Sequence, residues 1–160
     1  MSRSTTPSLV QWILLTGLLA GTLDGLAAVI NFTINGGKDP VVLIFRYIAG
    51  AVFGAKARTG GTPMVIWGIF FHYMIAMLFT IFFFLIYPKI RSFLPHPIIT
   101  GLIYGALVWV IMNQVVVPLS NLPKKPVFHL KNAAIQMGIL MLCIGLPISL
   151  MTKKYYLYKK

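Results

Sequence analysis

Two residues of this chain combine an ionisable group with a position deep inside a long apolar run: Asp24 and His72. A carboxylate and an imidazole that face one another can pass a proton or steady a polar solute, and inside a bilayer such groups commonly mark pathways or sites. Their spacing supports a shared role. Asp24 lies seven residues after Gly17, four before Ala28 and seven before Asn31, so these residues fall on one stripe of a helix. His72 belongs to a second stripe, Gly68, His72, Ala76 and Thr80, that recurs every four residues. Arg46, Asn113 and Gln136 add one cation and two amides within other apolar runs, and buried amides need partners because no water is there to satisfy them. The polar set is thus Asp24, Asn31, Arg46, His72, Asn113 and Gln136.

What this set excludes is equally informative. The chain contains no glutamate, and no nucleophile converges with a base, so acid–base chemistry rests on Asp24 and His72 and no catalytic residue is assigned. A metal needs more convergent ligands than this pair supplies, and His96 and His129 lie near the ends of their runs. No metal and no cofactor are expected.

These residues are carried by apolar runs at about 9–34, 64–87, 98–119 and 127–151, each long enough at about 1.5 Å per residue to cross a hydrocarbon core of roughly 30 Å. A shorter run at about 41–57, with Arg46 near its start, is barely long enough to cross. The expected fold is an all-α, polytopic transmembrane helix bundle forming a single domain over 1–160, with four long spans and one short re-entrant or interfacial helix; five spans is the alternative. The first run is too long for the apolar core of a signal peptide and carries Asp24, so it reads as an uncleaved span. Small residues at four-residue spacing, Gly17, Gly21 and Gly25, then Gly50 and Gly54, Gly68, and Gly101 and Gly105, mark faces where helices approach closely.

Composition agrees with a membrane location. The chain is 58% hydrophobic, with fourteen Lys and Arg against the two acids Asp24 and Asp39. The basic residues sit between and beyond the apolar runs, among them Lys89 and Arg91, Lys124 and Lys125, and Lys153, Lys154, Lys159 and Lys160 interleaved with Tyr155, Tyr156 and Tyr158. There they anchor the ends of spans and attract anionic headgroups; nucleic acid binding would want a solvated basic domain. Lys and Arg divide almost evenly between the two sides, so charge does not set the orientation. Cys143 stands alone in an apolar run and forms no internal disulfide.

The string Ile48-Ala49-Gly50, Gly54, Gly60-Gly61, Gly68, His72, Ile75-Ala76, Tyr104-Gly105, Met112-Asn113, Val117-Pro118-Leu119-Ser120 and Gly145-Leu146-Pro147 resembles that of a group of small uncharacterised bacterial inner-membrane proteins, and Pro88-Lys89-Ile90-Arg91 resembles the related YagU-like proteins. The resemblance covers about Ile48 to Pro147. It implies a multi-pass protein of the inner (cytoplasmic) membrane, and it implies no reaction.

Topology links the polar residues. With four spans, Asp24 and His72 lie about 15 and 12 Å from the same membrane face, whereas with five they separate in height by about 10 Å. Three function classes remain: a proton-linked or small-solute pathway through Asp24 and His72, an accessory or structural subunit of a homo-oligomer or membrane complex that uses the same residues as packing contacts, and a small membrane enzyme.

Overall fold

A computed structural model describes residues 8–122 and 129–158. The proline-rich loop with Pro123, Lys124, Lys125 and Pro126, the expected start of the last span at Val127, and Lys159 and Lys160 lie outside the described residues. Helix α1 (Leu9–Ile34) begins at a reciprocal cap: the Gln11 N–H donates to the Ser8 hydroxyl at 3.3 Å and the Ser8 N–H donates to the Gln11 side-chain oxygen at 2.7 Å. After the Asn35-Gly36-Gly37 turn come α2 (Pro40–Phe53), the single turn α3 (Lys56–Thr59) and the long α4 (Gly61–Ile90). Helices α5 (Pro97–Leu119) and α6 (Leu130–Tyr158) complete the described chain, and α1, α4, α5 and α6 are the four helices long and apolar enough to cross a membrane.

The short helix returns to the side it left. Helices α1 and α4 run antiparallel, since a Cβ at Gly25 would meet His72, one at Gly21 would meet Tyr73 and Ala76, and one at Gly17 would meet Met77 and Thr80. The end of α1 is therefore level with the beginning of α4, and residues 35–60 cannot have crossed between them. Helix α2 packs on the first half of α4, where the absent side chain of Gly68 admits the Phe45 carbonyl and Phe53 meets the rings of Trp67 and Phe71. Its far end is tied to the end of α5 by two hydrogen bonds, from the Asn121 N–H to the Ala51 oxygen and from the Asn121 side-chain amide to the Val52 oxygen, both 2.9 Å. Gly54 closes α2 at φ 61°, a left-handed conformation that lets the chain turn back beneath Asn121. Among the described residues there are four long helices and a short one that starts and ends at the same level of the bundle, as the four-span reading expects and the five-span alternative does not.

Several boundaries differ from the apolar runs. Helix α4 extends past both prolines that bracket its run: Pro63 falls in the first turn, where a missing N–H costs no helical bond, and Pro88 falls in the last. Pro88 cannot donate to the Phe84 carbonyl, and the Tyr156 hydroxyl donates to that oxygen instead at 3.0 Å. The last helix continues beyond Met151 to Tyr158, so Lys153, Tyr155 and Tyr156 are helical residues packed against the end of α4. The short run at 41–57 divides into α2 and α3 at Gly54.

Helices α5 and α6 each contain a π-turn, Met112–Val116 and Met141–Gly145. Each stands two residues before a proline, Pro118 or Pro147, and the residue between donates five positions back, Val117 to the Met112 oxygen and Leu146 to the Met141 oxygen. A proline ring collides with the carbonyl four residues before it, and widening the preceding turn relieves that collision. The second π-turn also brings backbone onto backbone: a Cβ at Gly145 would collide with the Gly101 carbonyl, and one at Gly105 with the main chain of Leu140 and Met141. Phe83, Tyr87, Tyr104, Val108, Ile144 and Ile148 form the buried core beside this contact. Large apolar side chains such as Leu85 (68% exposed), Ile66 (62%) and Leu78 (58%) face outward, as a bilayer requires.

Candidate functional site

Asp24 lies ten residues before the end of α1 and His72 eleven after the start of α4, which places both at about 15–16 Å below the same face by the helical rise. Glycine makes their proximity feasible. At Gly21 and Gly25 the surface of α1 is bare backbone, and the His72 ring lies on it, with Nε2 2.8 Å from the Gly21 carbonyl oxygen. A carbonyl only accepts, so Nε2 carries the proton and Nδ1 is the nitrogen left to take up a second one. The rings of Phe45 and Tyr73 stand edge-on to His72 at 5.8 and 5.4 Å, and the Tyr73 hydroxyl shares a 2.9 Å hydrogen bond with Thr22. The ring is thus held between α1, α2 and α4.

Asp24 is half-buried, and His72 is close enough to act on it electrostatically. No hydrogen bond joins the two side chains among the described residues; the imidazole donates to the backbone one turn before the carboxylate. On its other side α1 packs against α6 at the π-turn that carries the Cys143 thiol. Carboxylate, imidazole and thiol therefore gather where α1 passes between α4 and the widened turn of α6.

Above this level the α1–α6 seam opens. Asn31, Phe32 and Asn35 of α1 and Asn132, Ile135 and Gln136 of α6 line a cleft of about 220 Å³. Antiparallel packing puts Asn35 beside Asn132, Asn31 beside Gln136 and Asp24 beside Cys143 at one constant register. From the floor of the cleft, two helical turns, about 10 Å, lead down α1 from Asn31 to Asp24 and down α6 from Gln136 to Cys143. This polar ladder has rungs at the cleft and at Asp24 and Cys143, with the small or apolar residues Ala27, Ala28, Ile139 and Leu140 in the turns between, and it runs from the α2 end of the bundle toward the middle of the spans.

The remaining polar residues are engaged elsewhere. The Arg46 guanidinium donates to the backbone oxygens of Gly61 and Arg58 at 3.4 and 3.5 Å, so it closes the α2–α4 junction and does not pair with Asp24. Asn113 donates to the Trp109 oxygen of its own helix at 2.9 Å, beside the first π-turn. Among the described residues no three His, Cys, Asp or Glu side chains converge as metal ligands would.

Cys143, Asn35 and Asn132 join the site from outside the polar set read from the sequence. A signal for them was present: Asp24, Asn31 and Asn35 are spaced by seven and four, while Asn132, Gln136 and Cys143 are spaced by four and seven. Two polar stripes with mirrored spacing are what an antiparallel helix pair needs to match its polar residues.

Fold and surface define a multi-pass integral membrane protein of the helix-bundle type, in contact with the lipid bilayer along its apolar outer faces. Comparison with protein families, with curated proteins and with solved structures returns no match.

Proposed function

We propose that this protein provides a proton-linked or small-solute pathway through the bilayer, with Asp24 and His72 as the exchanging pair. The observation that supports the reading is the polar ladder, which descends from the amide-lined cleft at Asn31, Asn35, Asn132 and Gln136 to a carboxylate in mid-span. A carboxylate at that depth is costly unless it is hydrated or used. His72 completes the relay: its Nε2 is fixed on the Gly21 oxygen, which leaves Nδ1 as the ring nitrogen free to bond a water or solute. The resemblance of the sequence to bacterial inner-membrane proteins supports that membrane as the location of the pathway, with the basic residues at the ends of the helices as contacts for anionic headgroups.

The test is reconstitution of the full chain into vesicles that enclose a pH-sensitive dye. A pH step should relax faster in these vesicles than in empty ones, and Asp24→Asn should abolish the difference while leaving thermal unfolding in detergent unchanged. Relaxation no faster than in empty vesicles would refute the pathway.

A second reading, an accessory or structural subunit that joins a homo-oligomer or a larger membrane complex, draws on the His72 bond to Gly21 and on the close glycine contacts between helices. In that case Asp24→Asn would change stability or assembly and no flux would be seen. An enzymatic role stands third, because it would rest on the same two side chains.

A further inference from the structure

At the opposite end of the bundle from the cleft, the last turn of α4, the loop after it and the last turns of α6 form an open pocket of about 260 Å³ lined by Tyr87, Arg91, Ser92, Pro95, Lys153, Tyr156 and Leu157. We propose that this pocket holds a phosphoryl group, presented by the headgroup of an anionic phospholipid. The assignment is independent of any route through Asp24.

Charge comes first. Arg91 and Lys153 face one pocket, and neither forms an ion pair among the described residues. Neither acidic side chain of the sequence stands near them: Asp24 lies in mid-span, and Asp39 lies in the turn before α2, at the other end of the bundle. Two cations held together without a counterion repel one another, and an external anion removes that cost.

The shape of the pocket selects the anion. A planar guanidinium pairs with two phosphoryl oxygens at once, an ammonium supplies a point charge, and the Ser92 hydroxyl adds a donor. The wall is rigid. Tyr87 and Tyr156 stack at 5.4 Å with 27° between their planes, and the Tyr156 hydroxyl is anchored on the Phe84 oxygen that Pro88 leaves without an N–H. Neighbouring Lys154 points instead toward the Tyr158 ring, 6.0 Å from its centre, so Lys153 alone of this pair serves the pocket.

Position selects the lipid over a free anion. Trp12, Tyr155 and Tyr158 cluster at this same end of the helices, as aromatic residues do at the headgroup level. Toward mid-span from the pocket, Leu150, three residues before Lys153 and seven before Leu157 on α6, is 46% exposed, so a bound phosphoryl would stand above an apolar side chain fit for an acyl chain. The π-turns, the amide cleft and the Arg46 junction all lie elsewhere and take no part.

Thermal unfolding of the full chain in uncharged detergent tests the proposal, with dioleoylphosphatidylglycerol, dioleoylphosphatidylcholine or inorganic phosphate added. The phosphatidylglycerol should raise the midpoint and the phosphatidylcholine should not. Arg91→Gln and Lys153→Gln should each lose more than half of that rise, whereas Lys56→Gln, at the far end of the bundle, should keep it. Should Arg91→Gln fail to fold, Lys153→Gln carries the test alone. An equal rise with phosphatidylcholine, or a full rise in the folded pocket variants, would overturn the assignment. Stabilisation by inorganic phosphate with none by phosphatidylglycerol would overturn the lipid as its source.

Discussion

His72 reaches across from α4 to donate from Nε2 to the backbone oxygen of Gly21 in α1, one helical turn before Asp24. The bond fixes the tautomer of the imidazole and the rotation of α1 against α4, and only a residue without a side chain leaves that carbonyl open to the ring.

Replacing the ring by an apolar group should therefore be measurable even if no solute moves. His72→Leu is expected to lower stability by about 1 kcal/mol, the scale of an interhelical hydrogen bond in a membrane. His72→Gln keeps a donor of similar reach and should recover most of the loss. Unfolding in mixed micelles measures both, and equal stability of His72→Leu and wild type would show that the bond contributes nothing.

A double-mutant cycle isolates the bond between Tyr156 and Phe84. Tyr156→Phe removes the hydroxyl from a carbonyl that Pro88 cannot serve, at an expected cost of about 1 kcal/mol. In a Pro88→Ala background the new N–H takes over that carbonyl, and Tyr156→Phe should then cost little. Equal costs in both backgrounds would mean that the proline and the hydroxyl are not coupled.

Gly145 and Gly138 lie in one helix and should respond in opposite ways. A Cβ at Gly145 meets the Gly101 backbone, which cannot yield as a side chain could, whereas a Cβ at Gly138 meets nothing within 4 Å. Gly145→Ala should cost about 2 kcal/mol or more, and Gly138→Ala should be neutral or stabilising by up to about 1 kcal/mol. Comparable unfolding midpoints for the two variants would contradict the backbone contact.

The spans were legible in the sequence because the bilayer demands long apolar runs, and the non-crossing short helix followed from the length of its run and from Arg46. What could not be read came from contacts between segments. Pro63 and Pro88 looked like helix boundaries because a lone helix would pay for Pro88, yet Tyr156, far along the chain, supplies the missing donor. The π-turns are marked in the sequence only by Pro118 and Pro147, which do not by themselves tell a widened turn from a helix end, and Gly145 was visible only as part of a motif until its contact with Gly101 gave it a packing role. Of the polar set, Asn31 and Gln136 line the α1–α6 cleft, Asp24 lies two turns below it, and His72 sits between α1, α2 and α4, while Arg46 and Asn113 satisfy nearby backbone; their residue types alone do not distinguish these uses.

Labelling tests the topology. Cysteines introduced at Gly37 and Gly60 flank α2 and α3, in a background where Cys143 is alanine, and both should react with an impermeant maleimide added to the same side of oriented vesicles. Modification from opposite sides would require the short helix to cross, against the antiparallel contacts of α1 with α4.

The native cysteine offers a sharper probe of the polar ladder. Cys143 is the only thiol in the chain and lies beside Asp24, below the cleft between Asn31 and Gln136. If water descends the α1–α6 seam, a small charged methanethiosulfonate should modify Cys143 from the Gly37 side of the membrane and not from the other. Gln136→Trp should slow that reaction severalfold by filling the cleft, while leaving the fold intact because Gln136 is exposed. Asn113→Trp would be a poor control, since that amide bonds its own helix, so Gln114→Trp, exposed on α5 and away from the cleft, serves instead. Its modification rate should match the wild type. A thiol that resists the reagent from both sides until the protein is unfolded would mean that the ladder is dry, and the proton pathway through Asp24 would fall with it.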